Sequence, residues 1–523
     1  MLSGAEIRGA KLLLKISDCD IFLNNFLGNI IFIENNGKIF IRYSFHPPLF
    51  FNNLSLVHLL MFAAYLASAL YAAVIAGLQI AYIRSALKAR RRRASSTGNR
   101  RLTRLPRVTI QIPVREEPLD IIERILLLCS QLDYPKDKLE VIVVSDDSDE
   151  TAAKIGKLTR HISEKTGLNI KFLHRKEKRG FKAGALNYAL RFSSGEYIVV
   201  FDVDTIFRKD FLKRVIPYVL DGCDAVVVRW AAGNSDLTPT SRALSFVFDV
   251  MAEIVQNGRA NWSKTPALVG SGCVLSREII EKVGGWDEKS IAEDSDMGLR
   301  IVLAGGRIKY IDDARILVEV PYNYASFKKQ QIRWIYGSVE MLRKYALQVI
   351  TNRNLNLKQK IDNLLYYGQY LSIILNIVAI AFTTLFIIFR FPFIKALFSI
   401  QAFLFAMLAF YAYELFKLTR EMGYKLRKVL PHLGRVTAMG LAVSLPGLLA
   451  FLKAILNLGL YWEVTPKGLR GFSLKSSKVQ EFIFGLTLVF IGLLALSVGY
   501  SILGVYLILN SSAFIYVALR RNL

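Results

Sequence analysis

No Cys-x-x-Cys spacing occurs among the four cysteines, Cys19, Cys129, Cys223 and Cys273. A structural zinc site or a disulfide framework needs paired cysteines, so neither is expected, and the last three are read as reduced core residues of a cytoplasmic domain. Gly-x-Gly-x-x-Gly is missing after every candidate strand, and so is a phosphate-loop Gly-Lys-Ser. Dinucleotide-binding and ATP-hydrolysing readings lose ground accordingly. Acidic side chains are scarce beside basic ones, 42 Asp and Glu against 68 Lys and Arg, which leaves a net charge of +26. That excess would suit nucleic acid, but no nucleic-acid module accompanies it. Lys88, Arg90, Arg91, Arg92, Arg93, Arg100, Arg101 and Arg104 instead follow directly on an apolar segment. A juxtamembrane anchor contacting membrane lipids explains them better, and no nucleic-acid partner is expected.

What is present is a chain of 523 residues, 53% apolar, with membrane-grade hydrophobic blocks on either side of a polar middle. In that middle, apolar β-rich runs at Val108–Pro113, Leu139–Val144 and Tyr197–Phe201 alternate with helical patterns near 118 to 132, 150 to 165 and 182 to 193. The rhythm predicts an α/β domain with a largely parallel, buried sheet. Ligands of such sheets bind outside the carboxyl ends of the strands. Three polar groups are delivered there: Arg115, Glu116 and Glu117; Asp146 and Asp147; Asp202 and Asp204. Asp202 and Asp204 stand at i and i+2, on one face of an extended backbone, where both point at one hard cation bridging a diphosphate. An isolated Asp-x-Asp is more often a solvated turn; its position after a buried strand gives it weight here.

Glu293-Asp294-Ser295-Asp296 opens a helix that closes at Gly305-Gly306. Acidic residues there ordinarily complement the helix dipole, yet a carboxylate fixed beside a diphosphate site is also well placed as a general base. Gln330, Arg333 and Trp334 lie on a predicted helix from about 324 to 346, where Arg333 neutralises a departing diphosphate and Trp334 offers a platform to a sugar ring. An interfacial Trp with a snorkelling Arg is the rival. Lys182, at a helix start after the basic run His174–Arg179, is a candidate phosphate contact. Ser271, between Gly270 and Gly272, permits close backbone approach to a sugar. Trp286 is either a wall of the acceptor pocket or a core residue.

With these motifs in order, the chain resembles the membrane-embedded family 2 glycosyltransferases, the group of cellulose, chitin, hyaluronan and mannan synthases and ceramide glucosyltransferases. Lys182–Asn187, Asp202–Thr205, Gly270–Cys273, Gly284–Trp286, Ala292–Asp294, Gln330–Trp334 and Val464–Lys467 carry the likeness, which spans roughly residues 105 to 519. The resemblance implies a GT-A type nucleotide-sugar-binding domain between transmembrane helices, with interfacial helices. It implies that Asp146 or Asp147 contacts base and ribose, with Glu116 nearby; that Asp202 and Asp204 hold Mg²⁺ or Mn²⁺; and that Asp294, beside Glu293, deprotonates the acceptor. Gln330, Arg333 and Trp334 then frame acceptor and leaving group. Thr465 and Lys467 belong to a loop that closes over nucleotide. The donor is a nucleotide-sugar, a UDP-sugar expected ahead of a GDP-sugar, and the acceptor a glycan or glycolipid. Polysaccharide synthesis is favoured over transfer of one sugar to a membrane lipid; a non-catalytic scaffold or transporter predicts eroded carboxylates, and none is eroded. Two departures limit the transfer: Ala292 stands where relatives have threonine, and the first strand continues into Val114-Arg115-Glu116-Glu117.

The expected organisation is an N-terminal segment, 1–53, with a hairpin turn at Glu34–Gly37; a first span, 54–83; a basic linker, 84–105; the cytoplasmic catalytic domain, 106–322; and interfacial helices, 323–362. A transmembrane hairpin, 363–416, and a basic region, 417–480, follow, the latter with an interfacial helix pair over 436–461. A last hairpin, 481–523, completes five spans. The arginines after the first span put the catalytic domain in the cytoplasm, and the basic residues after 461 argue against a span at 436–461.

Overall fold

The computed structural model describes residues 29–35, 38–44, 56–94, 104–388, 394–459, 477–520 and 523. Residues Met1–Ala67 and Ser68–Leu523 form two compact units. The first holds the expected hairpin, β1 (Asn29–Asn35) antiparallel to β2 (Lys38–Ser44) and paired from Asn29↔Ser44 to Asn35↔Lys38.

The second unit is built on an eight-stranded sheet of β3 (Val108–Val114), β4 (Leu139–Ser145), β5 (Asn169–His174), β6 (Tyr197–Val200), β7 (Ile206–Phe207), β8 (Ala225–Ala232), β9 (Cys273–Ser276) and β10 (Ile308–Val318). Their spatial order is β5-β4-β3-β6-β9-β8-β10-β7. The four strands from β5 to β6 are parallel, with β4 and β6 the most apolar of them. The strand β9 then runs antiparallel to both β6 and β8. That reversal matters for function: Val200 pairs with Cys273, so the start of β9 meets the end of β6. The two-residue β7 turns back along β10 through Ile206↔Leu317, which carries the turn after β6 to the end of β10.

Helices cover both faces. The helix Leu119–Ser130 buries Ile121, Ile122, Ile125, Leu126 and Cys129, one stripe at three- and four-residue spacing. The helix Asp149–Thr166 is started by Ser148, whose side chain accepts from Thr151 N, and stopped by Gly167 at φ 65°. The helix Pro239–Met251 passes into a π-helical stretch, Ala252–Gly258. There the first long helix, Leu56–Ala94, comes close: a Cβ on Gly258 would lie 2.4 Å from the carbonyl oxygen of Tyr82.

Five described helices have the length and apolarity to cross a membrane: Phe62–Arg92, Ser399–Glu421, Leu426–Ile455, Val479–Ser497 and Ser501–Leu519. Four overlap the expected spans. The segment near 365 to 389, read as a full span, is divided into Leu357–Gly368 and Leu371–Ile388. Over 436–461 the expected pair of helices is one continuous helix, Leu426–Ile455, despite Pro431 and Pro446 within it. Its small residues, among them Ala442, Gly447, Ala450 and Ala454, are buried. Leu449, Leu452 and Ile455 are exposed. A Cβ on Gly447 would lie 2.7 Å from Ile335 of the helix Tyr324–Thr351, and Arg435 donates to the carbonyl of Pro239 at 2.6 Å. The Glu34–Gly37 turn and the expected loop 462–480 both lie partly outside the described residues.

The Gly258 contact yields a first prediction. Gly258→Ala forces backbone against backbone, which no rotamer relieves. It should destabilise the protein by about 1–3 kcal/mol, read as a lower melting temperature in detergent by intrinsic fluorescence. An unchanged melting temperature would mean that the two helices do not meet there.

Candidate active site

The topology brings the Asp202–Asp204 turn, Ser271 and the helix start at Glu293 and Asp294 to one edge. Asp202 follows β6, and its backbone N–H donates to Ser271 Oγ at 3.0 Å. Thr205 Oγ1 lies 2.5 Å from the same hydroxyl, and Trp230 Nε1 donates to the Ser271 carbonyl at 2.8 Å. Ser271 is thus fully occupied in shaping the turn that presents Asp202 and Asp204. Asp204 is nearly buried and accepts from Glu319 N, past the end of β10, at 3.4 Å. Gly272, at φ 80°, has no room for a side chain: a Cβ would lie 2.6 Å from Ile316.

Lys182 sits between two motifs. Its Nζ is 2.8 Å from Asp202 Oδ1 and 3.0 Å from Glu293 Oε1. Burial opposes its charge, but the carboxylates of Asp202 and Glu293 outweigh burial and hold its pKa well above the ordinary lysine value. Asp294 opens the helix Glu293–Leu303 and accepts from Ser295 N at 2.7 Å. Burial first, then the adjacent Glu293 carboxylate, raise its pKa to about 7, against the pull of Lys182 and the Ser295 N–H. A carboxyl that titrates near neutrality suits proton transfer. Gly270, at φ 73°, makes the space: a Cβ there would lie 3.1 Å from Asp294 Oδ2.

The helix Tyr324–Thr351 is fastened against this region. Glu340 accepts from Ile291 N at 3.2 Å, Lys344 pairs with Asp287 at 3.0 Å, and Tyr345 donates to Asp296 at 2.8 Å. A Cβ on Gly337 would lie 2.7 Å from the methyl of Ala292. Ala292 is therefore packed where a second helix comes close, a physical reason for a small residue just before Glu293. Arg333 and Gln330 lie one and two turns before Gly337, and the side-chain oxygen of Gln330 is buried without a hydrogen-bond partner among the described residues.

Asp146 and Asp147 are more committed than expected. Arg175 grips Asp146 through Nε at 2.7 Å and Nη2 at 2.5 Å, and also donates to the carbonyl of Arg179 at 2.8 Å. Asp147 accepts from Ser145 Oγ at 2.8 Å and from Glu116 N at 2.6 Å, with Glu116 held at φ 57°. Together they tie β3, β4 and the loop after β5 into one edge. Sequence reasoning noticed the basic run containing Arg175 but had no means of pairing it with Asp146. It also missed that Asn187 clasps Trp286, donating to its carbonyl at 2.9 Å and accepting from its N–H at 2.9 Å. Trp286 is buried in the core, the second of its two readings.

Asp202 and Asp204 supply hard carboxylate oxygens, and no cluster of three or more His, Cys, Asp or Glu suited to a metal occurs among the described residues. Two protein carboxylates completed by water and phosphate oxygens are the usual mode of Mg²⁺ at such sites, so the donor set fits. Thr465 and Lys467 fall outside the described residues.

A mixed sheet whose carboxylate edge joins an Asp-x-Asp turn to a near-neutral acid defines a glycosyltransferase domain of GT-A type. The model of Glycosyl transferase family 2 matches residues 109–284, and that of Glycosyl transferase family group 2 matches 197–416. A probable glycosyltransferase of Sulfolobus acidocaldarius is 30% identical over 419 residues, 79% of this chain and 89% of that one. The chain belongs to glycosyltransferase family 2. A probable glucomannan 4-beta-mannosyltransferase of Oryza sativa is 30% identical over 260 residues, 49% of this chain and 44% of its own, so the chain spans about half the length of such plant relatives. A mannosyltransferase of Pyrobaculum calidifontis, solved with GDP-Man and Mn²⁺, aligns over 73% of this chain and 99% of its own with a TM-score of 0.48 at 23% identity.

The Arg175 clamp yields a second prediction. Asp146→Ala strands a buried guanidinium and should cost about 3–5 kcal/mol of stability, measured by denaturant unfolding in detergent. A variant as stable as its parent, with only donor binding weakened, would make Asp146 a ligand contact alone.

Proposed function

We propose that this glycosyltransferase is an integral membrane enzyme extending a β-linked polysaccharide from a nucleotide-sugar, with its catalytic domain on the cytoplasmic side. The observation that supports it best is the joining of Asp202 and Glu293 through Lys182, which sets the donor turn and the base-bearing helix within one ion-pair cluster. Asp294 takes the proton of the acceptor hydroxyl. The acceptor oxygen bonds to the anomeric carbon as the bond from that carbon to the diphosphate oxygen breaks, its electron pair leaving with the diphosphate, so configuration inverts. A Mg²⁺ or Mn²⁺ ion held by Asp202 and Asp204 would neutralise charge on the leaving diphosphate. The Lys182 ammonium adds to that neutralisation as phosphate reaches it. Gln330, with its unpaired oxygen, Arg333 and Trp334 frame the acceptor and leaving group, and Asp147 with Glu116 shapes the nucleotide end.

A UDP-sugar has no support over a GDP-sugar. Relatives named as mannosyltransferases favour a mannosyl donor, and GDP-mannose is the first to test. The helix Leu426–Ile455 combines a face packed on the catalytic domain with exposed leucines, the character of an interfacial helix. Transfer of a single sugar to a membrane lipid remains the second reading, since the Gln330–Trp334 motif serves both.

Asp294→Asn should lower kcat by about 10²–10⁴-fold in nanodiscs supplied with Mn²⁺ and a panel of GDP- and UDP-sugars, with the glycan sized on a gel. A ladder lost in the variant supports polymerisation; one sugar on one lipid moves the reading to lipid transfer; turnover insensitive to Asp294 sinks the base assignment. Asp294 acts deprotonated, so kcat/KM should rise with pH through about 7. Lys182→Met removes a charge that favours the carboxylate and should move this limb to higher pH. A limb that stays in place would sever Lys182 from Asp294.

A further inference from the structure

A carboxylate is buried in the first turn of an otherwise apolar helix. Glu481, the third residue of Val479–Ser497, is 1% exposed. Its Oε1 accepts from the Tyr324 hydroxyl at 2.9 Å and from Lys328 Nζ at 2.8 Å. Tyr324 is fully buried and the Lys328 side chain is 17% exposed, so the ion pair stands largely out of water. An acidic residue at a helix start complements the dipole equally well when solvated. Burial adds a desolvation cost that pairing only partly offsets, and apolar side chains of the same volume would pack there as well. An ion pair buried at the start of a candidate span therefore calls for a role other than stability.

The partners point to that role. Tyr324 and Lys328, four residues apart, share one face of the helix Tyr324–Thr351. At about 100° per residue, Arg333, Gln330 and Trp334 lie roughly 140°, 200° and 240° around the same helix from Lys328. Glu481 therefore grips the helix from the side opposite the motif. Its own helix is a firm anchor, because Val479–Ser497 and Ser501–Leu519 are packed through glycines. A Cβ on Gly485 would lie 2.8 Å from Ile515, and one on Gly492 2.7 Å from Ile508. Lys478 Nζ donates to the Arg520 carbonyl at 2.6 Å, which ties the two helices together at the end where Glu481 lies.

We propose that Glu481, through Lys328 and Tyr324, is a positioning residue for sugar transfer, setting the rotation of the helix that presents Gln330, Arg333 and Trp334. This rests on the reading that those three meet the acceptor and leaving group. Glu481 acts from behind them and is not one of the reacting groups. Turning the helix by one residue swings the motif by about 100°, and sliding it by one residue shifts the motif by about 1.5 Å. A misplacement of about 1 Å is enough to lower turnover about 100-fold. An apolar contact tolerates either movement, whereas a buried charge parted from its counterion does not.

Full-length protein in nanodiscs would be compared with Glu481→Gln, Lys328→Met, the double variant and Lys328→Arg. The readouts are melting temperature, amide hydrogen exchange over residues 324–336, and kcat and KM for whichever donor of the GDP- and UDP-sugar panel is turned over. Each neutral single variant strands a charge and should melt lower, while the double variant, with no charge left to strand, should regain the parental melting temperature. Turnover should not return with it. The double variant should keep a kcat about 10–100-fold below the parent at little-changed donor KM, with faster exchange over 324–336. Lys328→Arg, which keeps the charge, should stay close to the parent in every readout. A double variant with parental kcat and exchange overturns the proposal, and so does a kcat loss that only follows the melting temperature across the set. A parent inactive with every donor would sink the glycan reading instead; the exchange readout then decides alone, and unchanged exchange in the double variant overturns the positioning role.

Discussion

The placement of one ammonium among carboxylates governs the active-site edge. Asp202, Glu293 and Asp294 come from a strand end and a helix start far apart in sequence, and all three lie in a poorly solvated region. Like charges brought together there repel strongly, since a low effective dielectric screens little. Lys182 offsets the repulsion by meeting Asp202 and Glu293 at once. Asp294 does not share in either contact and takes the consequence: it remains beside Glu293, desolvated, and titrates near 7. One pairing thus divides three acidic groups into two that are bound to Lys182 and one able to exchange a proton. The partition follows from geometry, for which of Glu293 and Asp294 pairs with Lys182 is decided by the turn of the helix they open.

Much of this was legible in the sequence because the site hangs on strand ends. Apolar, β-branched runs announced β3, β4 and β6, and the position of a carboxylate relative to such a run fixes the sheet edge it reaches. The near-neutral acid was legible only as a residue, Asp294; its pKa depends on burial that no local pattern encodes. Partners were less visible still. The Arg175–Asp146 clamp joins residues 29 apart, and the Asn187–Trp286 clasp residues 99 apart. Neither has a periodic signal, since a hydrogen bond between loops leaves no repeat. Ala292 was read as standing where relatives have threonine, and its methyl also lies close to Gly337. That is information about a neighbouring helix, which the residue alone does not reveal.

The apolar helices show the opposite limit. Hydropathy located them well but could not say where a helix is broken or continued. The basic residues after 461 argued for an interfacial pair of helices over 436–461, yet the chain passes through Pro431 and Pro446 in one helix. Proline forfeits one backbone hydrogen bond and crowds the preceding turn, which costs about 3 kcal/mol in an isolated helix. A helix packed along its length on Ile335 and the Pro239 region offsets that loss through burial. Tertiary packing, invisible to a window average, decides the outcome.

The same reasoning explains why charge is buried where the catalytic domain meets the first long helix. Arg229 and Arg90 share Glu253, and Arg229 also meets Asp312 at 2.8 Å and Asp249 at 3.2 Å. A few turns away Arg259 is held by Asp362 at 2.7 Å, with Tyr82 donating to the same carboxylate. Apolar side chains of equal volume would pack these interfaces at no desolvation cost, so stability alone does not account for the ions. What ion pairs add is register. A greasy contact tolerates a helix sliding or turning by one residue, while Arg259 without Asp362 is a buried charge with no counterion. The domain is therefore held to its membrane-proximal helix in one alignment. A fixed alignment is what a glycosyltransferase needs if the acceptor reaching Asp294 is to come from the side on which the apolar helices lie.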